Sequence, residues 1–147
     1  MRRIERSAIV ERSAAEFCAL VEDIESYPRF LPWCRAATVR ERGPERTVAT
    51  LDLGFQGLRH SITTENHGRP GESIDMRLIA GPFRRFAAAW RFRPLEDRAC
   101  KVEFTLEYEL AGGKAGRLLE PLLEQIADTI VDAFTRRAEA VYGAHAR

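Results

Sequence analysis

"LLEPLLEQIADTIVDAFTRRAEAVY", residues 118–142, sets Leu119, Leu122, Leu123, Ile126, Ile130, Phe134, Ala138 and Val141 on one face of a long amphipathic helix, with Gly143 as its stop. Pro121 near the start implies that the residues before it form a separate turn or are set off by a kink. At 1.5 Å per residue such a helix is roughly 35 Å long, and its stripe needs an apolar surface to lie on. The preceding segment has the pattern of that surface. Over residues 100–110, Cys100, Val102, Phe104, Leu106, Tyr108 and Leu110 alternate with Lys101, Glu103, Thr105, Glu107 and Glu109, which is a strand with one dry and one wet face.

Working back towards the N-terminus, strand-like segments near 34–42, 47–55, 58–65, 73–80 and 85–92 are separated by short turns rich in Gly, Pro, Asn and Asp. A first strand over 3–11 carries Ile4, Ala8 and Val10 on one parity. Ser13 then opens S-A-A-E, a capping box with Glu16, and Phe17, Leu20 and Val21 form the stripe of a short helix. The segment after it, "ESYPRFLPWC" (25–34), holds two prolines and is loop or at most one helical turn. This order predicts an α+β fold, an antiparallel curved sheet of about seven strands wrapped around one long C-terminal helix, with two short helical segments after the first strand. The helix is the only element able to cover the apolar face, and a cavity between helix and sheet is expected.

Bulk properties narrow the function. The 147 residues are read as one domain, with its core over about 3–143. Hydrophobic residues at 45% and charged residues at 31% describe a folded domain without low-complexity tracts, and a net charge of +1 excludes nucleic-acid binding by general electrostatics, so no DNA partner is expected. The N-terminus "MRRIERSAIVERS" lacks the apolar stretch of a signal peptide, and no run approaches the ~20 apolar residues of a spanning helix. Cys18, Cys34 and Cys100 lack paired spacing and read as packed, reduced thiols. A cytoplasmic location follows, or a peripheral one on the inner face of the cell membrane.

The turns divide by end. "RGPER" (42–46), "NHGRPGE" (66–72) and "LEDR" (95–98) share one end and are polar. The other receives "YPRFLPW", the turns around Phe55–Leu58 and "GPFRRF" (81–86), and the start of the last helix. Its charges include Arg29, Arg35, Arg84, Arg85, Lys114 and Arg117, diluted by Glu22, Asp23 and Glu25. An apolar rim bearing cations is what a lipid pocket opening onto an anionic membrane requires.

Catalytic chemistry is not legible. His60, His67 and His145 have no metal spacing, so no metal site is expected, and His60 reads as a structural histidine. Asp52 reads as a solvent-facing or paired aspartate, and Cys34 has no histidine base beside it in sequence. "AGGKAG" (111–116) lacks the Lys-Ser/Thr ending of a phosphate loop and serves to turn the chain into the last helix.

The blocks "RSAIVERSAAEFCALVEDIESYPRFLPWC", "GPFRRF", "W-x-F-x-PL", "CKVEF-x-L-x-YE" and "DAFTRRAEAVYG" resemble, in order from about residue 3 to 143, the bacterial family that includes the ribosome-association toxin RatA and the coenzyme Q-binding proteins, within the START-like superfamily. The resemblance implies the helix-grip fold and a hydrophobic cavity for ubiquinone or another polyprenyl lipid, as ligand rather than cofactor, in support of respiratory electron transfer. It also implies two alternatives, a ribosome-associated factor that hinders subunit joining and an enzyme like the superfamily's polyketide cyclases. The expected reading is non-enzymatic. Tyr27, Phe30, Leu31, Trp33, Phe55 and Phe83 would gate the entrance, and Leu58, Phe86, Trp90, Phe104 and Tyr108 would line the cavity with Leu122, Ile126 and Ile130 of the helix. Trp90 and Tyr108 each need a partner for a polar atom. Arg29, Arg35, Arg84 and Arg85 would meet a membrane or another partner.

Overall fold

The alternation over 100–110 is realised in β7 (Ala99–Leu110), whose neighbours are β1 (Arg2–Val10) and β6 (Phe83–Glu96). Its even-numbered side chains meet even-numbered ones across both ladders, with Leu106 opposite Ile4 and Ala88, and Phe104 opposite Trp90, so one face is apolar except at the β1 edge, where Arg2 and Arg6 share it. The computed structural model describes residues 2–96 and 98–143. Its other elements are α1 (Ala14–Glu22), a 3-10 helix (Ile24–Arg29), β2 (Cys34–Arg42), β3 (Arg46–Phe55), β4 (Leu58–Arg69), β5 (Ser73–Ala80) and α2 (Lys114–Tyr142). All neighbouring strands are antiparallel, in the order β1-β7-β6-β5-β4-β3-β2. The seven strands, the two short helical segments and the long last helix are those expected. Asp97 of the third polar turn and His145 lie outside the described residues.

Local rules account for most boundaries. Ser13 caps α1: its Oγ accepts from the Glu16 N–H at 3.1 Å, and the Glu16 carboxylate accepts from the Ser13 N–H at 3.0 Å. The two-residue turn between β3 and β4 has positive φ at Gln56 (51°) and Gly57 (85°), the geometry that suits a tight hairpin. Pro121 neither ends nor precedes the last helix, which starts at Lys114 and runs through it. Pro121 is exposed near the helix start, where the Arg117 carbonyl left without its N–H partner can meet water. Gly116 allows that start. A Cβ there would sit 1.9 Å from the Ala111 carbonyl oxygen, so the chain folds back tightly against its own first turn.

α2 runs closest to β1 and β7, packs against α1, and reaches β6 through Phe134. On the β1 side Arg2 donates to Glu120 (3.1 Å) and Glu124 (2.8 Å), and Arg6 donates to Asp128 (2.6 Å). On the other side the Trp33 indole N–H, just before β2, donates to Thr129 Oγ1 at 3.0 Å. Beneath the helix, Phe134 stands edge-on to Trp90 at 5.3 Å and to Tyr27 at 5.4 Å.

The outer face of the sheet is a lattice of ion pairs. Glu65 accepts from Arg46 and Arg77, and these bonds pull its carboxyl from the ordinary 4.5 down to about 2. A carboxyl depressed in the folded state stabilises the fold above its unfolded pKa, and that contribution disappears as pH falls through the folded value. Glu65→Gln is therefore expected to lower the melting temperature by a few degrees at neutral pH. The difference from the parent should shrink between pH 4.5 and 2, as melting curves across that window would record.

Candidate site: an apolar cleft at one end of the sheet

Antiparallel connection puts the β3–β4 turn, the β5–β6 turn and the start of α2 at one end, as the turn pattern implies. α2 runs closest to β1 and β7 and reaches β6 through Phe134 and Trp90, and at this end several inward-facing side chains of β3 to β6 are incompletely covered. Phe55, Leu58, Leu78, Phe83, Phe86 and Leu110 are all half-buried. The Phe83 and Phe86 rings lie 5.2 Å apart, and Leu78, Ile62 and Phe83 converge over Gly81, where an added Cβ would come within 3.1 Å of Leu78 Cδ1. His60, opposite Leu53 in the ladder, is the half-buried polar residue of the same face. Gln125 sits one turn before Thr129 on the flank of α2. This end of the sheet thus carries a partly covered apolar surface with His60 beside it, and it is taken as the candidate cleft because such a surface suits a mostly hydrophobic molecule.

The residues expected to line a cavity deeper in the molecule are brought together, but as packed core. Trp90, Phe104, Tyr108, Leu122, Ile126 and Ile130 are buried, with Trp90 4.9 Å from Phe104 and stacked at 6.1 Å on Phe92. Tyr108 donates its hydroxyl to Glu120, which also receives Arg2, and burial with that carboxylate raises the phenol's pKa. The Trp90 ring fills space between Phe17, Phe104 and Phe134.

The prolyl segment differs from its expected position at the rim. It runs along the middle of α2, with Leu31 1% and Trp33 4% exposed and Tyr27 buried. The reason is polar as much as apolar. The Tyr27 hydroxyl donates to the Val21 carbonyl and the Trp33 indole reaches Thr129, so both rings are drawn inward by partners that the rim lacks. Pro28 sits inside the 3-10 helix without breaking it. Phe30 stays half-buried, edge-on to Phe134 at 5.0 Å beneath the Arg137 guanidinium at 5.1 Å. Arg29 goes with this segment and leaves the rim, whereas Arg35, Arg84 and Arg85 are exposed there. Sequence pattern does not mark Leu78, Leu110 and Leu118 as cleft residues. Leu78 shares its parity with Ile74 and Met76, a signal that does not distinguish cleft from core.

The marked concavities lie elsewhere. A groove of about 1150 Å³ crosses the outer face, walled by paired charges such as Arg3 with Glu107 (2.9 Å) and Arg91 with Asp75 (2.9 Å). A pocket of about 220 Å³ at the opposite end lies between the 3-10 helix and the polar turns, over Tyr27, Ile24 and Ile74. Among the described residues no three His, Cys, Asp or Glu side chains are grouped to hold a metal. Asp52 accepts from Ser61, and burial pushes the Cys34 thiol up to about 11, so it stays protonated near neutral pH. Among the described residues no helix is long and apolar enough to cross a membrane.

A curved antiparallel sheet gripping one long C-terminal helix defines a helix-grip domain. It superimposes on the Zhui aromatase/cyclase from Streptomyces sp. R1128 with a TM-score of 0.86 at 18% identity, over 97% of this chain and 99% of that one, a likeness of fold alone. Residues 10–135 match the family described as polyketide cyclase / dehydrase and lipid transport, and the chain belongs to it. Within that family it is 39% identical over 143 residues to the ribosome association toxin RatA of Vibrio cholerae, covering 97% of this chain and 99% of that protein. It is also 26% identical over 148 residues to the mitochondrial coenzyme Q-binding protein COQ10 homolog B of Xenopus laevis, covering 97% of this chain and 61% of that protein.

Proposed function

We propose that the protein binds a polyprenyl quinone or a related lipid in the cleft between sheet and α2, without transforming it, and so supports respiratory electron transfer. The observation that supports this reading is the half-burial of Phe55, Leu58, Phe83 and Phe86 on a face that is otherwise dry, beside a helix that covers only part of it. A prenyl chain laid there would remove apolar surface from water at about 25 cal/mol per Å², with His60 on the same face to orient a polar head. Trp90, Phe104, Tyr108, Leu122, Ile126 and Ile130 would form the floor, and Phe30 would flank the helix further along. The location that suits this role is the cytoplasm. A second reading, association with the ribosome, is favoured by the name of the relative that is 39% identical over nearly the whole chain.

Mass spectrometry of protein purified under native conditions tests the choice. About one prenyl lipid per chain is expected, or uptake of ubiquinone from detergent micelles to that level. Absence of both, with cosedimentation on ribosomes that survives high salt, would transfer the assignment to the second reading.

A further inference from the structure

The net charge of +1 hides a cluster of mostly unpaired cations at one end of the sheet. At the cleft end Arg35, Arg59, Arg84, Arg85, Lys114 and Arg117 are exposed. Among the described residues, only Arg84 of these six has a carboxylate within 4.0 Å, that of Glu109 at 3.9 Å. The opposite end is of mixed charge, exposing Glu11, Glu22, Asp23, Glu45 and Glu72 together with Arg42, Arg46, Arg69 and Arg98 around the polar turns. The cleft end also exposes large apolar side chains, Leu118 at 54% on the second turn of α2 and Ile79 at 52% on the outer side of β5 beside the β5–β6 turn. The first turn of α2 has no side-chain cap, which adds the partial positive charge of its free N–H groups to the same end.

We propose that this end docks on an anionic lipid bilayer, with the basic residues on the headgroups and Leu118 and Ile79 below them, so that the cleft opens onto the membrane. This deepens the lipid-binding reading and rests on it for the cargo. A phosphate-rich RNA would satisfy the cations but leave Leu118 and Ile79 in water, whereas an interface satisfies both.

The test is flotation of the full chain with vesicles of phosphatidylcholine containing a third phosphatidylglycerol. The protein is expected to float with these, to stay behind with pure phosphatidylcholine, and to detach as salt is raised. Arg84→Gln with Arg85→Gln is expected to weaken binding about 30-fold, from about 1 kcal/mol per cation near the surface. Leu118→Ser should weaken it several-fold at unchanged melting temperature. Absence of flotation, or flotation undiminished in the arginine double variant, overturns the proposal. Binding of a structured RNA that displaces the vesicles and is indifferent to Leu118→Ser overturns it in favour of nucleic acid. Uptake of ubiquinone from detergent micelles, measured alongside, separates the two ideas: uptake without flotation removes the docking surface alone, and flotation without uptake removes the ligand alone.

Discussion

Phe134→Ala is expected to destabilise the protein by about 3–5 kcal/mol, the range for removing a large aromatic side chain from a packed core. Phe134 is fully buried, and its ring meets Phe17 at 6.3 Å, Tyr27 at 5.4 Å, Phe30 at 5.0 Å and Trp90 at 5.3 Å. Those rings come from α1, the 3-10 helix, the segment after it and β6, and no single one of them can move in to fill the space without losing its other contacts. Tyr27 in addition is held by its bond to Val21, so the hole stays open. Denaturant titration measures the loss. A value below about 1 kcal/mol would mean that the elements do not converge on this residue.

The second large effect concerns the cleft. Leu78→Trp is expected to reduce ubiquinone uptake more than tenfold, a loss of at least about 1.4 kcal/mol, while shifting the melting temperature by only a few degrees. Leu78 is half-buried among Ile62 and Phe83, so an indole grows into space that the ligand would occupy rather than into packed neighbours. The contrast is Ala88 on the adjacent strand, 6% exposed opposite Met76 and Leu106, where the same enlargement would overpack the core and unfold the domain instead. Uptake by Leu78→Trp equal to that of the parent would move the ligand out of this cleft, the pocket at the opposite end being the next place to look.

Repetition is what makes a fold legible in its sequence. β7 and α2 declare themselves because an apolar residue at every second, or every third to fourth, position over ten or more residues suits only a half-buried strand or an amphipathic helix, and the Ser13–Glu16 box is a local device that works wherever it occurs. The division of the turns into a polar and an apolar end follows from antiparallel connection alone. The prolyl segment is a different problem. Its four large apolar residues suit a rim or a plug equally well by composition, and the decision rests on a hydroxyl at Thr129, 96 residues beyond Trp33. Pro121 resembles a boundary in sequence because its effect depends on whether the orphaned carbonyl reaches water, which only the packed helix determines. Leu78 and Leu118 are invisible as cleft residues for a related reason. Their cover depends on α2 lying over β1 and β7, and side-chain pattern says which face is apolar but not how far a helix extends across it.

The placement of β1 bears on how the chain is made. The first strand to leave the ribosome pairs with β7 alone, about a hundred residues later, and α2, which covers the shared apolar face, follows every strand in the chain. Until α2 has been made, the nascent sheet has one edge unpaired and only α1 to shield its apolar face. Completion of the sheet is deferred until β7 and α2 have been made, contacts of such wide separation form slowly, and a chain stalled before Lys114 leaves apolar surface exposed to aggregation.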